Sequence, residues 1–392
     1  MDVLNGIPLN MKPALIRLVP KTAAFIVVFV CLYLPNVAAE FAYAGFSFES
    51  NYAQIGDGSR IHYIEEEEGD PIVLVHGAPT HAYLWRNVIP HLSDTHRVIA
   101  LDLPNFGRSD KVGTIGMPEY TARFGEFVDT LGLDKFGLVM HDIGGPIAMN
   151  WANANRERVS AVSLLETFVG PIPNINAAPP FFLNPLNLFD PVQARQAAVI
   201  NNGFVEGLLL NPAAGLINRV LTAEEAEIYR APFDTQAKRE PLGNLVGEFA
   251  VADGTGHPVL DPDGVGGLPP TVHPNLDYFL AVSEFLLESD ANKHFVATNP
   301  GGTFPISQLP FIEEQFTDFI INVIGDPSGD SSGNLGTTPG RHFLQEDLPN
   351  EYGIALSNFF EPTPVPLPGG LVLMLSALGG LFVSKRSSTR DQ

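Results

Sequence analysis

The sequence predicts an α/β fold in which helices cover both faces of a mostly parallel β-sheet. Short β-rich runs alternate with helical stretches from Phe48 to Phe360. Several of these runs are apolar at every position, as is expected of strands that are buried on both faces. One long stretch, residues 171–285, lacks strand alternation and contains helical patterns. That stretch indicates a helical insertion over the carboxyl edge of the sheet.

The individual elements follow in chain order. The predicted strands are Arg60–Ile64, Pro71–Val75, Arg97–Leu101, Gly137–Met140, Ala161–Leu165, His294–Thr298 and Phe319–Ile324. The first of them is expected at the edge of the sheet, and the four glutamates at 65–68 are expected to form a solvated turn. The predicted helices are Pro118–Leu131 and Pro146–Asn155 in the alternating part, with Thr222–Tyr229 and Asn275–Leu287 in the insertion.

The composition excludes several classes of protein. The 392 residues include 22 Lys and Arg against 44 Asp and Glu, which gives a net charge of −22. So acidic a chain repels phosphate backbones, and a nucleic-acid partner is therefore not expected. A single cysteine, Cys31, excludes an internal disulfide framework and a Cys-ligated zinc site.

The first 39 residues are typical of an export signal. Lys12, Arg17 and Lys21 precede a short apolar run at residues 23–34, and small residues at 37–39 offer a cleavage site. A buried N-terminal helix or an uncleaved anchor is the alternative. The apolar run is too short to span a bilayer comfortably, which favours cleavage.

Residues 363–392 form a second terminal segment. A proline-rich turn at 364–368 precedes an apolar, Gly-rich stretch at 369–383, and Lys385, Arg386 and Arg390 follow. This order resembles the PEP-CTERM family of sorting tails in its VPLP variant; a simple C-terminal anchor helix is the alternative. The resemblance implies an exported protein in the periplasm, at the cell surface or secreted. It also implies export and sorting machinery as partners, with transient contact to the inner membrane.

Three groups of reactive residues each follow a predicted strand. They are His76-Gly77-Ala78-Pro79-Thr80, His141-Asp142-Ile143-Gly144-Gly145-Pro146, and the segment 338–347 that contains His342. The carboxyl ends of parallel strands are where α/β sheets place their sites. The glycines after Asp142 permit a sharp strand-to-helix turn, which would present this carboxylate as a nucleophile elbow does.

Each group alone has a plainer interpretation. Asp142 could be a helix N-cap, and His342 could be a surface histidine. His76 and His141 are interpreted as residues that brace loops. A carboxylate elbow followed by a late histidine, however, gives the order of residues that a hydrolase triad needs. The combination therefore favours a catalytic pair of Asp142 and His342.

The resemblance to a known family spans residues 50–360. The matching stretches are His76-Gly77-x-Pro79-Thr80, Tyr83-Leu84-Trp85-Arg86-Asn87, Asp102-Leu103-Pro104-x-x-Gly107-x-Ser109, His141-Asp142-x-Gly144-Gly145, Tyr229-Arg230-x-Pro232-Phe233 and His342-Phe343-Leu344-Gln345-Glu346-Asp347. The chain resembles the haloalkane dehalogenase branch of the α/β-hydrolases. That resemblance implies an α/β-hydrolase core at 40–170 and 286–362, with a helical cap at 171–285.

The resemblance also implies roles for five residues. Asp142 would be a nucleophile that forms an alkyl-enzyme ester, and His342 would be the base that activates water against this ester. Glu166 would orient His342, although a buried, salt-bridged acid is the alternative. The backbone N–H groups of Ala78 and Ile143 would form the oxyanion hole. The family's other position for the orienting acid, after the next strand, has no carboxylate here, which favours Glu166.

The chain departs from the family at two positions. Dehalogenases hold the departing halide with side-chain N–H donors, usually a Trp directly after the nucleophile and an Asn after the His-Gly pair. Here those positions are Ile143 and Ala78, and neither side chain has a donor. His81, Tyr278 or Asn202 could compensate.

Three functions therefore stay open at this stage. The first is a dehalogenase-like hydrolase that acts on a small-molecule electrophile with water. The second is an epoxide hydrolase, which would need a proton-donating tyrosine such as Tyr229 or Tyr278. The third is a non-catalytic exported surface protein on a hydrolase scaffold. No cofactor or metal is implied, since the sequence contains no dinucleotide, phosphate-loop or zinc motif.

Overall fold

The computed structural model describes residues 46–171, 191–245, 248, 275–302, 306, 309–325 and 339–361. The predicted signal peptide at 1–39 and the C-terminal segment at 363–392 lie outside these residues, as does part of the predicted cap. None of the helices in the described ranges combines the length and the apolarity that crossing a bilayer requires.

The centre of the fold is an eight-stranded sheet in the order β1-β2-β4-β3-β5-β6-β7-β8. Its strands are β1 Asn51–Gln54, β2 Arg60–Glu66, β3 Pro71–Val75, β4 Arg97–Leu101, β5 Phe136–Asp142, β6 Val159–Thr167, β7 Asn292–Thr298 and β8 Phe319–Ile324. Only the pairs β1–β2 and β2–β4 are antiparallel. The predicted mostly parallel sheet is confirmed.

The apolar runs of the sequence become the central strands. β3 and β4 have the predicted bounds, and β5 is buried at every position because helices cover both faces of the sheet there. The prediction that Arg60–Ile64 is an edge strand is wrong, because β1 pairs outside it. Two of the four glutamates assigned to a turn extend β2 instead, and Glu65 pairs with Arg97 at 2.6 Å.

The helices of the described residues flank the sheet and continue into the insertion. They are α1 Met117–Thr130, α2 Gly144–Asn153, α3 Pro191–Arg195, α4 Ala223–Arg230, α5 Gln236–Leu245, α6 Leu276–Glu288, α7 Leu309–Gln315, α8 Leu344–Asp347 and α9 Pro349–Phe360. In the insertion, Thr222 and Glu225 form a capping box that begins α4. The helix predicted at Asn275–Leu287 is α6. It packs on α2 of the core, where Asn150 donates to the Tyr278 carbonyl at 2.9 Å.

Candidate active site

Asp142 ends β5 in a conformation that few side chains tolerate. Its φ is +52°, in the left-handed region that Asp and Asn enter more readily than other non-glycine residues. The Thr167 hydroxyl donates to the Asp142 carbonyl at 2.6 Å and fixes the turn from the neighbouring strand. This turn leads directly into α2, so the predicted elbow is present as a strand–turn–helix.

The elbow requires close contact between backbone segments. A Cβ atom on Gly144 would lie 2.5 Å from the carbonyl oxygens of both Val75 and His76. A Cβ atom on Gly77 would lie 2.2 Å from the Cβ of Asp142. Glycine is therefore needed where α2 begins beside β3, and also where the loop after β3 passes the aspartate.

Replacing Gly144 by alanine is expected to lower the free energy of unfolding by about 1–3 kcal/mol, because backbone carbonyls cannot move aside as a flexible side chain can. Gly207 provides the matched control, since a Cβ there meets nothing within 4 Å and its φ is not positive. Urea unfolding of both variants measures the difference. Equal midpoints for Gly144→Ala and Gly207→Ala would contradict this description of the elbow.

Backbone donors surround the Asp142 carboxylate. The Ala78 N–H donates to Oδ1 at 2.8 Å, and the Ile143 N–H also bonds to the carboxylate. Burial raises the pKa of Asp142, whereas the nearby His342 and these two donors oppose that effect. The two N–H groups that the sequence predicted for an oxyanion hole thus point at the carboxylate.

His342 lies between two carboxylates. Its Nε2 is 3.8 Å from Asp142 Oδ2, and its Nδ1 is 3.3 Å from Glu166 Oε2. A carboxylate only accepts, so in the neutral ring the Nδ1 that faces Glu166 carries the proton, and Nε2 is the nitrogen that can accept one. The three residues predicted as a triad therefore lie together, in the order that suits proton abstraction next to Asp142.

Glu166 reaches His342 because β6 is irregular. Opposite His141 and Asp142 the pairing skips a residue, so Glu166 is an extra residue in β6, with a φ of +47°. Such a bulge re-aims a side chain, and bulges are common next to active sites. The Thr298 hydroxyl and the Gly302 N–H both donate to Glu166 Oε1.

A buried ionic cluster holds the segment that follows His342. Glu346, which is 3% exposed, accepts from Arg86 at 2.5 and 2.9 Å and from the Tyr229 hydroxyl at 2.5 Å. Arg219 bonds to both Glu346 and Glu225. Arg219, Glu225 and Tyr229 belong to the insertion, whereas Arg86 follows β3. No role was predicted for this cluster from the sequence, although Arg86, Tyr229 and Glu346 belong to the matched motifs.

The predicted proton donors of an epoxide hydrolase are engaged elsewhere. The Tyr229 hydroxyl donates to Glu346, as above. The Tyr278 hydroxyl bonds to Thr121 Oγ1 at 2.7 Å and donates to the Pro146 carbonyl at 3.1 Å. The same contacts remove Tyr278 as a substitute halide donor.

The other two candidate substitute donors are His81 and Asn202. His81 is buried beside the insertion, with Nε2 3.4 Å from the Ile228 carbonyl and its ring 5.4 Å from that of Tyr229. Asn202 precedes a π-helical turn at Gly203–Leu209 with a φ of +53°. Ala78 and Ile143 are both buried, so the positions of the family's halide donors are apolar.

The chain is similar to known proteins over most of its length. A family model described as "alpha/beta hydrolase fold" matches residues 70–204. A haloalkane dehalogenase of Mycolicibacterium smegmatis is 30% identical over 310 residues, covering 77% of this chain and 88% of the relative. One from Sphingobium indicum is 31% identical over 312 residues, covering 77% and 92%.

Solved structures share the fold. The haloalkane dehalogenase DatA from Agrobacterium tumefaciens C58 superposes with a TM-score of 0.64 at 23% identity, covering 79% of this chain and 95% of that one. The haloalkane dehalogenase DbeA from Bradyrhizobium elkani gives 0.64 at 22% identity, covering 80% and 97%.

Proposed function

The chain belongs to the haloalkane dehalogenase family of α/β-hydrolases, and from that membership we propose that it hydrolyses a small electrophile through a covalent ester on Asp142. In the first step Asp142 attacks a saturated carbon and the leaving group departs with the bonding electrons. In the second step His342 removes a proton from water, which attacks the ester carbonyl and releases the alcohol and free Asp142.

One observation carries the proposal. Asp142 combines two backbone N–H donors on its carboxylate with an imidazole Nε2 at 3.8 Å. An ester on Asp142 would develop negative charge on its carbonyl oxygen when water attacks, and N–H groups aimed at this oxygen stabilise that charge. A surface protein without activity would have no use for this arrangement.

The leaving group is where this chain is expected to differ from its relatives. Ala78 and Ile143 offer no side-chain N–H to a departing ion, so charge-dense ions are poorly stabilised there. Leaving groups that are large and polarisable need such donors least. We therefore expect reactivity to rise from 1-chlorohexane through 1-bromohexane to 1-iodohexane, more steeply than the uncatalysed displacement does.

Replacing Glu166 by glutamine is expected to lower turnover by about 10⁴-fold, because an amide can donate to Nδ1 and stabilise the wrong tautomer of His342. Steady-state release of iodide from 1-iodohexane measures the loss. Thr298→Val, which removes only a donor to Glu166, should have a smaller effect. Wild-type turnover in Glu166→Gln would exclude this role for Glu166.

The proposal also includes export of the enzyme from the cytoplasm. The segments at 1–39 and 363–392 support an enzyme that acts outside the cytoplasm and is attached only briefly to the inner membrane. Intact mass of protein recovered from the producing cells checks this. Loss of both segments is expected, and a full-length cytoplasmic product would contradict it.

A further inference from the structure

The backbone of His342 is tied to the strand that carries Asp142. The His342 carbonyl lies in a loop before α8, and it accepts a hydrogen bond from His141 Nε2 at 2.9 Å. Both histidines are buried, and their ring centroids are 4.5 Å apart. His141 directly precedes Asp142 at the end of β5. This end of the strand therefore carries one member of the predicted pair and is hydrogen-bonded to the other, His342.

The protonation of His141 follows from this bond. A carbonyl oxygen only accepts, so Nε2 of His141 carries the proton and Nδ1 does not. Burial, together with the neighbouring His342, lowers the pKa of His141 well below its ordinary value. The ring is therefore a neutral, fixed donor and does not compete with His342 as a base.

Glu166, Gly302 and His141 are among the residues that contact His342. Glu166 Oε2 is 3.3 Å from Nδ1, which is long for a hydrogen bond to a carboxylate. Gly302 packs so closely on the His342 backbone that a Cβ there would lie 2.5 Å from it. Of the two hydrogen bonds, the one from His141 Nε2 to the His342 carbonyl is the shorter, at 2.9 Å. This bond ties the His342 backbone directly to the residue that precedes Asp142, and its loss would remove that link.

We propose that His141 is a positioning residue whose Nε2–H holds His342 where it can activate the hydrolytic water. The proposal rests on the proposed function. It makes a step-specific prediction, because the attack of Asp142 on the substrate needs no base, whereas hydrolysis of the ester needs His342. Loss of the His141 donor should therefore slow the second step and leave the first nearly unchanged.

Two amides that differ by one methylene test this. Gln at position 141 can place its N–H near the position of Nε2, whereas Asn is too short to reach the His342 carbonyl. Rapid-quench kinetics with 1-iodohexane follow iodide release in the first turnover and hexanol formation separately. We expect ester hydrolysis to fall by about 10²-fold in His141→Asn, as for a catalytic group displaced by about 1 Å, and to be largely restored in His141→Gln. The rate of the iodide burst should stay near that of wild type in both.

Either of two results would overturn the proposal: an unchanged rate of ester hydrolysis in His141→Asn, or an equal loss in both steps in a variant with wild-type circular dichroism. If His141→Asn does not fold, His141→Leu replaces it as the variant without a donor, again compared with His141→Gln.

A second readout needs no substrate and so separates this proposal from the proposed function. The proton on His342 Nδ1, which faces Glu166, should give a low-field proton NMR signal in the wild type. We expect His141→Gln to keep this signal and His141→Asn to lose it through exchange with solvent. If the wild type forms no ester with any probe, the proposed function fails. In that case the NMR signal alone tests whether His141 positions His342. A signal that persists in His141→Asn would overturn the proposal.

Discussion

Replacing Asp142 by asparagine is expected to lower hydrolysis of 1-iodohexane by about 10⁴–10⁶-fold, the range observed when a member of a covalent catalytic unit is removed. Asparagine tolerates the φ of +52° and can still accept the Ala78 N–H through its Oδ1. The substitution therefore removes the charge and the nucleophilic oxygen while the elbow remains. Iodide release at saturating substrate measures the loss.

The stability of the same variant provides its control. Because burial raises the pKa of Asp142, ionisation of this group disfavours the folded state at pH values above that pKa. Asparagine removes this effect, so Tm of Asp142→Asn should exceed that of wild type at neutral pH. Below about pH 4, where the carboxyl is protonated in both the folded and the unfolded chain, the difference should vanish. An inactive variant with a lower Tm at all pH values would point to a damaged fold instead.

Replacing Ile143 by tryptophan is expected to raise kcat/KM for 1-chlorohexane by about 10²–10³-fold relative to Ile143→Phe, since one donor to developing charge has that effect. Ile143 follows Asp142 directly and is 3% exposed, at the position where the family carries its halide-binding Trp, so we expect an indole N–H there to face the leaving ion. Phenylalanine matches the bulk without the N–H. The gain in kcat/KM of Ile143→Trp over Ile143→Phe should be smaller for 1-iodohexane than for 1-chlorohexane, because the larger iodide ion depends less on a hydrogen-bond donor.

Ion binding gives an independent test of the Ile143 variants. A buried indole N–H without a partner is unfavourable, and a bound chloride would satisfy it. Added sodium chloride should therefore raise Tm of Ile143→Trp more than Tm of Ile143→Phe, with sodium sulfate as the control for ionic strength. Equal chloride responses, together with equal activity on 1-chlorohexane, would show that position 143 does not face the leaving group.

The sheet was predictable where hydrophobicity alone determines it. Pro71–Val75, Arg97–Leu101 and Phe319–Ile324 are apolar or mostly apolar runs, and each is a strand with those bounds. Asn51–Gln54 was missed because its four residues have too little apolar character to mark a strand. Because this strand lies outside β2, the prediction that Arg60–Ile64 is the edge strand was wrong.

The site was predictable as a set of residues but not as a geometry. Asp142 and His342 are visible in the chain as reactive residues that each follow a predicted strand, and glycines mark the elbow, whereas Glu166 was implied by the family resemblance. The bulge that re-aims Glu166 depends on the pairing of β5 with β6, which no local pattern reveals. The same holds for the contacts of His141 with His342 and of Arg86 with Glu346, which join residues 201 and 260 positions apart.

The most direct test of the covalent mechanism is intact-mass analysis of residues 40–362 carrying His342→Gln after incubation with 1-iodohexane. The variant retains Asp142 but lacks the base, so the ester should accumulate. We expect a mass increase of one hexyl group, located on Asp142 by peptide mapping, and no increase in the double variant with Asp142→Asn. A folded His342→Gln protein that stays unmodified by the 1-halohexanes, dihaloethanes and styrene oxide, or that is alkylated at another residue, would contradict the proposed mechanism.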